Sequence, residues 1–191
     1  MNIPTIETAH IILRPWGPAD ADAWYAVLQE PDLLKYFPDP KAPSRRMADR
    51  YIEHHLEHWQ AFGYGHWVVV TRDERRVVGW TGLEYLPELE QTELAYLLSR
   101  SVWGHGYATE AARAAVRFAF EAVRLDELIA LVHPENAASI RVAEKCGMCL
   151  LDRVTLWGLE MGRYRISRVG YEQLPWREQV SQELATDQRP G

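Results

Sequence analysis

The chain is poor in cysteine and has no excess of positive charge, and each shortage excludes a class of protein. Its 191 residues include only 2 cysteines, too few to cross-link a domain of this length, so we expect a reduced, cytoplasmic protein. Lys and Arg number 21 against 27 for Asp and Glu, a formal net charge of −6. That balance argues against non-specific binding to nucleic acid or to an anionic membrane. An anionic ligand must therefore be held by a few placed residues or backbone amides.

The chain also lacks long hydrophobic runs, internal repeats and Gly/Ser linkers. No apolar stretch approaches the roughly 20 residues that cross a bilayer. The N-terminal segment MNIPTIETAHIILRP has no basic region followed by an apolar one, so it does not have the pattern of a signal peptide. With 47% hydrophobic residues the chain can bury a core. We expect one domain over residues 1–175 and a polar tail over 176–191.

Seven short runs rich in β-branched and aromatic residues predict strands. The second, third and fourth are joined by short charged turns, which is typical of an antiparallel meander. With the helices between them, the order is β-α-α-β-β-β-α-β-α-β-β. This order predicts an α/β (α+β) fold with a mixed, mostly antiparallel central sheet and helices on both faces. The predicted strands cover residues 10–16, 65–71, 76–86, 92–99, 128–133, 149–157 and 163–171.

The helices carry start and stop signals. Pro18 opens a first helix that Pro31 ends. Ser44 is placed to cap a second helix over residues 45–62, and Asn136 to cap a helix that runs to Lys145. The long helix after Gly106 has a stripe of small side chains, which allows it to lie close to a sheet. The stripe consists of Ala108, Ala111, Ala112, Ala115, Ala119 and Ala122.

The segment VWGHGYAT, from Val102 to Thr109, leads through a glycine turn into the start of the long helix. The first amides of a helix lack intrahelical acceptors and lie at the positive end of its dipole. Gly104 and Gly106 would let an anion approach those amides, so the turn is a candidate pyrophosphate site; a tight turn that needs positive φ explains them equally well. A Rossmann fingerprint would need glycine at Thr109, and a P-loop would need Gly-Lys-Ser/Thr. A nucleotide-binding oxidoreductase is therefore disfavoured.

A second informative segment is HPENAASIRVAEKCGM, residues 133–148. Asn136 and Ser139 have a local explanation as the cap and first turn of a helix. Arg141 and Lys145 share an exposed face one turn apart. Two cations there suit a terminal phosphate, and a solvated surface explains them equally well.

Together, WGHGYATEA and the segment NAASIRVAEKCGM, about thirty residues later, resemble the GCN5-related N-acetyltransferase (GNAT) superfamily. The branch it resembles contains the ribosomal-protein N-terminal (alanine/serine) acetyltransferases. TAHIILRPWGPADADAW, GWTGLEY and ELAYLLSRSVWGHGYA match that branch too, so the resemblance spans roughly residues 5–170. It implies an acetyl-CoA-dependent N-acetyltransferase with direct transfer in a ternary complex and no metal. It also implies a V-shaped opening between the fourth and fifth strands, where pantetheine lies.

The same resemblance implies which residues contact the cofactor. Asn136 would hydrogen-bond it, and main chain around Leu97 and Leu98 would bind the pantetheine and the acetyl carbonyl. Ser139 and Arg141 are further cofactor contacts. The wider superfamily often has Gln or Arg before the glycines, whereas this chain has the aromatic form usual in the branch. Backbone amides of Val102, Trp103, Gly104, His105, Gly106, Tyr107, Ala108 and Thr109 would hold the pyrophosphate.

Acetyl transfer requires that the amine lose a proton, which a carboxylate in a cleft can take directly or through water. Glu93 is the first candidate because it lies on the strand expected to contact the thioester, and Glu84 on the neighbouring strand is the second. Either could instead be a structural or solvated carboxylate. Ser139 is placed to protonate the departing thiolate, to hydrogen-bond its sulfur, or only to support the helix. An amide near Leu97 would meet the developing oxyanion.

Three further features have ordinary structural explanations. Cys146 and Cys149 form C-x-x-C at the wrong end of a helix for a redox pair, and no second pair completes a zinc site. The second helix carries a possible metal-ligand pair, His54 and His58, beside His55, but we expect these to be surface histidines. Four tryptophans in the region that resembles the acceptor-binding part are expected to be mostly core: Trp16, Trp24, Trp59 and Trp67.

The acceptor is the least determined part of the prediction. It is a primary amine, either a protein N-terminus or a small molecule, selected by the first two helices and residues 31–43. The acidic residues between Glu84 and Glu93 weakly favour a cationic acceptor. A protein of another class, a catalytically silent CoA-binding sensor or interaction module, is the alternative. A homodimer through the last strands or the tail is left open.

Overall fold

Residues 2–177 of the chain, as described by a computed structural model, are built around one eight-stranded sheet. None of the helices in that range is long and apolar enough to pass through a membrane. The strands are β1 (Ile6–Glu7), β2 (Ile11–Arg14), β3 (His66–Thr71), β4 (Val77–Leu86), β5 (Gln91–Leu98), β6 (Glu127–Val132), β7 (Cys149–Leu156) and β8 (Leu159–Ser167). The helices are α1 (Ala21–Leu28), α2 (Arg45–Phe62), α3 (Tyr107–Glu121), α4 (Ala137–Lys145) and α5 (Arg168–Glu172).

The strand order in the sheet is β1-β2-β3-β4-β5-β6-β8-β7. Every neighbouring pair is antiparallel except β5 and β6, which are parallel. In that parallel pair only Glu93 and Ile129 are in register, and the later residues of the two strands are not paired with each other. The predicted mixed, mostly antiparallel sheet is confirmed, and so is the opening between these two strands.

Helices cover both faces of the sheet and enclose two core clusters. On one face α1 and α2 pack over a cluster that includes Val68, Trp80 and Leu97. On the other face α3 and α4 pack over a cluster that includes Val69 and Leu94. The predicted alanine stripe is shorter than expected, since Ala108 is half-buried and Ala122 is an exposed C-cap residue. The fully buried members are Ala111, Ala112, Ala115 and Ala119.

Two predicted caps form as local chemistry dictates. The Ser44 hydroxyl accepts a hydrogen bond from the Met47 amide at 3.4 Å, and α2 covers the predicted residues 45–62. The Asn136 side-chain oxygen accepts from the Ser139 amide at 3.1 Å and starts α4. Caps of this kind need only neighbouring residues, which explains why sequence alone located them.

The end of the described chain differs from the prediction. The last predicted strand, 163–171, ends at Ser167, because the Ser167 hydroxyl caps α5 by accepting from the Gly170 amide at 3.2 Å. Trp176, which we expected in a polar tail, is buried and packs edge-on against Tyr171 with ring centroids 6.2 Å apart. Residues 178–191 of the predicted tail lie outside the described residues.

Candidate active site

A cleft of about 180 Å³ lies where β5 and β6 separate. Glu84 and Glu93 line it from the sheet, and Asn136 and Ser139 line it from the start of α4. The fold therefore brings the three predicted catalytic residues and one predicted cofactor ligand into one cavity. Further lining residues come from the loop after α1 (Tyr36, Phe37 and Pro38), from β4 (Trp80), and from the turn between β7 and β8 (Trp157).

Glu93 lies at the base of the opening. Its carboxylate accepts a hydrogen bond from the Leu131 amide at 3.1 Å, which bridges β5 to β6 where the strand pairing stops. Only 9% of the residue is exposed. Burial raises the pKa of Glu93 to about 8; the nearby Glu84 carboxylate acts in the same direction and the Leu131 amide opposes it. A carboxyl group with such a pKa can exchange a proton with a bound ligand near neutral pH.

Glu84 is the more accessible of the two carboxylates. It is the direct cross-strand partner of Glu93, and 28% of its side chain is exposed. Two histidine nitrogens lie near its oxygens, the Nε2 of His54 at 3.5 Å and the Nε2 of His66 at 3.7 Å. Glu84 therefore stands between the cleft and a group of histidines.

Ser139 and Asn136 are linked to β5 by a tyrosine that the sequence prediction missed. The Tyr96 hydroxyl donates a hydrogen bond to the Ser139 carbonyl at 3.0 Å, and the Ser139 amide in turn bonds Asn136. Burial raises the pKa of Tyr96, so its hydroxyl stays protonated and remains a donor. The available signal was its position, next to Leu97 on the strand expected to contact the thioester.

The glycine turn adopts the backbone that its sequence requires. Gly104 and Gly106 have φ values of +80° and +84°, and a Cβ at either would meet no atom within 4 Å. The first bond inside α3 is donated by the Glu110 amide to the Gly106 carbonyl at 3.0 Å. The amides of residues 107–109 precede that bond and lie at the positive end of the helix. The described residues 102–109 are not among those that line the cleft.

The other predicted cofactor residues are divided between core and surface. Leu97 and Leu98 are buried, with their side chains on opposite faces of the sheet. The Leu98 carbonyl already accepts a hydrogen bond from the Trp103 indole at 2.8 Å. Contact with a cofactor would therefore fall to the main chain of β5. Arg141 is exposed on α4, as expected.

The expectation that the α2 histidines lie on the surface is wrong for two of the three. His55 and His58 are only 2% and 6% exposed, whereas the His54 side chain is 60% exposed. His55 and His58 lie with Trp59 on the face of α2 that packs on the sheet. His58 is not available for the possible metal-ligand pair with His54, because its Nδ1 bonds the Tyr64 carbonyl at 2.8 Å and its Nε2 accepts from the Tyr85 amide at 3.1 Å.

A different histidine pair lies under Glu84. His55 and His66 stack with ring centroids 3.8 Å apart, and Trp80 stacks on the other side of His66 at 4.3 Å. Burial lowers the pKa of His55 to about 3 and that of His66 well below its ordinary value, so both imidazoles are neutral. The Tyr51 hydroxyl lies 2.9 Å from the His66 Nδ1.

Within residues 2–177, His55, His66 and Glu84 form a group whose atoms could hold a metal ion. One ligand atom from each lies within 4.8 Å of the others. The two imidazoles are stacked face to face, with an angle of 21° between their planes. A cation bound in the plane of both rings would require one of them to turn.

Cys146 is a buried free thiol and Cys149 an exposed one.

The tryptophans expected in the core are there, and two others line the cleft. Trp16, Trp24, Trp59 and Trp67 are each at most 5% exposed. Trp80 and Trp157 were not singled out by sequence, yet both line the cleft. The predicted selecting loop contributes Tyr36, Phe37 and Pro38, whereas the described residues of α1 and α2 do not line it.

Comparison with known proteins gives consistent matches. A family model described as the acetyltransferase (GNAT) domain matches residues 10–149. An uncharacterised protein of Bacillus subtilis, YkkB, is 30% identical over 168 residues, which cover 86% of this chain and 96% of that protein.

Solved structures share the fold over most of the chain. A crystal structure of an acetyltransferase from Agrobacterium tumefaciens is 30% identical, with a TM-score of 0.75, and the match covers 87% of this chain and 95% of that one. RimL, a ribosomal L7/L12 α-N-protein acetyltransferase solved in complex with coenzyme A, has a TM-score of 0.73 at 16% identity, with 86% and 98% coverage. At 16% identity this match shows a shared fold. RimL belongs to the branch of acetyltransferases that the sequence motifs resemble.

Proposed function

Because the chain belongs to the acetyltransferase (GNAT) family, we propose that it is an N-acetyltransferase that moves an acetyl group from acetyl-CoA to a primary amine. The observation that carries the proposal is the cleft where β5 and β6 part, which collects Glu84, Glu93 and Ser139. Transfer is direct, in a complex that holds both substrates, and needs no metal. The free thiols of Cys146 and Cys149 suit the reducing cytoplasm, where we place the protein.

The residues present fit the donor. There is open space beside Gly104 and Gly106, and Gly106 is the N-cap of α3; a glycine turn at a helix N-terminus suits a pyrophosphate. Main chain at Leu97 and Leu98, and the side chain of Asn136, would hold the pantetheine and the acetyl end. Exposed Arg141 is available for a terminal phosphate. Acetyl-CoA supplies the acetyl group as an activated thioester, and the chain orients it.

The amine must reach the thioester in its neutral form. Glu93 accepts the proton in its ionised form, and its raised pKa makes that carboxylate a stronger base than an ordinary glutamate. The new carbon–nitrogen bond replaces the carbon–sulfur bond, and the second amine proton ends on the departing sulfur. Glu84, as the accessible neighbour of Glu93, is the second candidate for the first proton transfer.

Ser139 is placed to assist the leaving group. Its amide bonds the Asn136 side chain and its carbonyl accepts from Tyr96, so the backbone of the residue is held at both polar groups. Its hydroxyl would donate to the sulfur from the cleft wall. The ordinary pKa of a serine hydroxyl is far above neutral, so we assign it a hydrogen bond that stabilises the thiolate.

The first experiment is calorimetric titration of acetyl-CoA, followed by a free-thiol assay with a panel of primary amines. Asn136→Ala should weaken binding about tenfold, roughly 1.4 kcal/mol. Ser44→Ala is the matched control, because it removes an equivalent helix cap from α2, away from the cleft. Equal weakening in both variants would show a stability effect only. Binding without turnover of any amine would favour a silent CoA-binding module, and no binding would overturn the proposal.

A further inference from the structure

Aromatic side chains form the outer rim of the cleft from two separate segments. Tyr36 and Phe37 belong to the loop after α1, and Trp157 to the turn between β7 and β8. Phe37 is 36% exposed and Trp157 is 50% exposed, so both rings have free surface for a ligand. We refer to these three residues, together with Trp80 inside the cleft, as the aromatic rim.

Trp157 is held in place at the rim. It has a φ of +50°, a backbone conformation that few residues other than glycine adopt. Its indole nitrogen donates to the Glu88 carboxylate at 3.3 Å. In the loop after α1, the Tyr36 ring packs against His133 at a centroid distance of 5.1 Å. The rim is therefore positioned before any ligand arrives.

The charge of the cleft is of one sign. Its acidic side chains are Glu84 and Glu93, and the part of the chain that the structure describes contributes no lysine or arginine to the lining. Such a cavity attracts a cation and offers no partner to a carboxylate. A free amino acid would bring its own carboxylate beside the amine, close to Glu84 and, at a pH where it is ionised, to Glu93. Like charges brought together in this way cost binding energy.

From these observations we infer that the acceptor is a protonated primary amine on an aromatic body, with no carboxylate next to the amine. This inference rests on the proposed function and narrows it. The ammonium group would lie between the aromatic faces and the two carboxylates, which favour it by cation–π and charge attraction. The aromatic body would pack within the rim. An arylalkylamine and a peptide with an aromatic first residue both present this chemistry.

The acceptor delivers two protons in the reaction. The ammonium loses one to a cleft carboxylate, and its nitrogen then forms the bond to the acetyl carbon as the carbon–sulfur bond breaks. The second proton leaves the nitrogen and ends on the sulfur of CoA. The sum is an N-acetylated amine, free CoA and one proton released to solvent, with no other reactant.

The test uses four acceptors that differ in one feature each: 2-phenylethylamine, phenylalanine, phenylalaninamide and 2-cyclohexylethylamine. We expect kcat/KM for phenylethylamine to exceed that for phenylalanine by about tenfold or more, and the neutral amide to recover most of the loss. The cyclohexyl compound, with no aromatic face, should be several-fold poorer than phenylethylamine. A pentapeptide that begins with Phe, used at a rate similar to that of the amide, would identify the protein N-terminus as the source; its rejection would identify the free amine.

Substitutions in the aromatic rim test whether it binds the amine without affecting acetyl-CoA binding. Phe37→Leu and Trp157→Leu should each raise KM for phenylethylamine about fivefold or more, with the Kd for acetyl-CoA unchanged. Phe62→Leu is the control, since Phe62 is 46% exposed and does not line the cleft. Equal use of phenylalanine and phenylethylamine would overturn this inference alone. Acetyl-CoA binding with no acetylation of any amine would overturn the proposed function as well.

Discussion

The carboxylate of Glu93 accepts a hydrogen bond from the amide of Leu131 at the point where two parallel strands part. The bond spans β5 and β6 just past the register pair Glu93–Ile129. One side chain thus both ties the strands together and faces the cleft between them. The structural role of this carboxyl group and the chemical role that we propose for it can be separated by experiment.

Glu93→Gln should lower kcat/KM about a hundredfold or more, because glutamine retains an acceptor for Leu131 but cannot take a proton. In the wild type, activity should rise with pH to an apparent pKa near 8 and then level off, since the ionised carboxylate is the active form. Glu84→Gln should lower kcat/KM by a smaller factor than Glu93→Gln. Steady-state rates from pH 6 to 10 provide the measurement. A larger loss in Glu84→Gln would transfer the role of base to Glu84.

Stability should respond to the same group. The folded-state pKa of Glu93, about 8, lies above its ordinary value of 4.5, so folding favours the protonated form. Its contribution is fully present below pH 4.5 and is lost as pH rises through 8. Relative to Glu93→Gln, the wild type should therefore lose unfolding free energy between pH 6 and 9. Urea denaturation at pH 6 and pH 9 measures the unfolding free energy of each protein. An equal change with pH in the wild type and in Glu93→Gln would contradict the prediction.

His55 should make the protein sensitive to acid. Its pKa in the folded state is lowered to about 3, so the unfolded chain binds a proton that the folded chain does not. The contribution of His55 to the free energy of unfolding is fully present above pH 6.5 and is lost as the pH falls toward 3. His55→Gln should reduce the slope of melting temperature against pH in this range, whereas the exposed His54→Gln should not. Equal slopes in all three proteins would show that other groups dominate.

Tyr96→Phe should affect the start of α4. Loss of the bond from the Tyr96 hydroxyl to the Ser139 carbonyl should cost about 1 kcal/mol of stability and raise KM for acetyl-CoA. Tyr171→Phe is the matched control, since it removes a bond to Glu121 on α3, from a residue that does not line the cleft. If both variants changed KM equally, the position of Ser139 would not depend on Tyr96.

Removal of divalent metals should leave activity and melting temperature unchanged, because the proposed transfer uses only carboxylate, hydroxyl and amide groups. Dialysis against EDTA, followed by rate and thermal measurements, provides the test. Loss of activity that zinc restores would instead assign a metal to His55, His66 and Glu84, the group whose ligand atoms lie within 4.8 Å. His55→Gln should then abolish the restoration.

Sequence predicted what local chemistry determines. Ser44 and Asn136 cap helices by contacts within three residues, and the tight turn between β4 and β5 sets the register that makes Glu84 and Glu93 neighbours. The burial of His55 was missed because it depends on how α2 sits over the sheet. Wrong inferences of this kind arise where side-chain polarity suggests exposure and tertiary packing decides otherwise.

The cleft walls were also beyond sequence reasoning. Trp157 and Tyr36 come together only through the order of strands, in which β8 and β7 follow β6 at one end of the sheet. No periodicity in either segment marks them as partners. Tyr96 was missed for a similar reason, since its contact with Ser139 joins residues separated by 43 positions.

The contribution of Phe37 and Trp157, which are far apart in sequence, to one cleft has a consequence for biosynthesis. On the ribosome the loop that carries Phe37 emerges well before the hairpin of β7 and β8, and that hairpin adds to the sheet through β6. A nascent chain that ends before the hairpin lacks Trp157, one of the residues that line the cleft. The proposed acceptor site is therefore complete only after β7 and β8 have been synthesised and have joined the sheet.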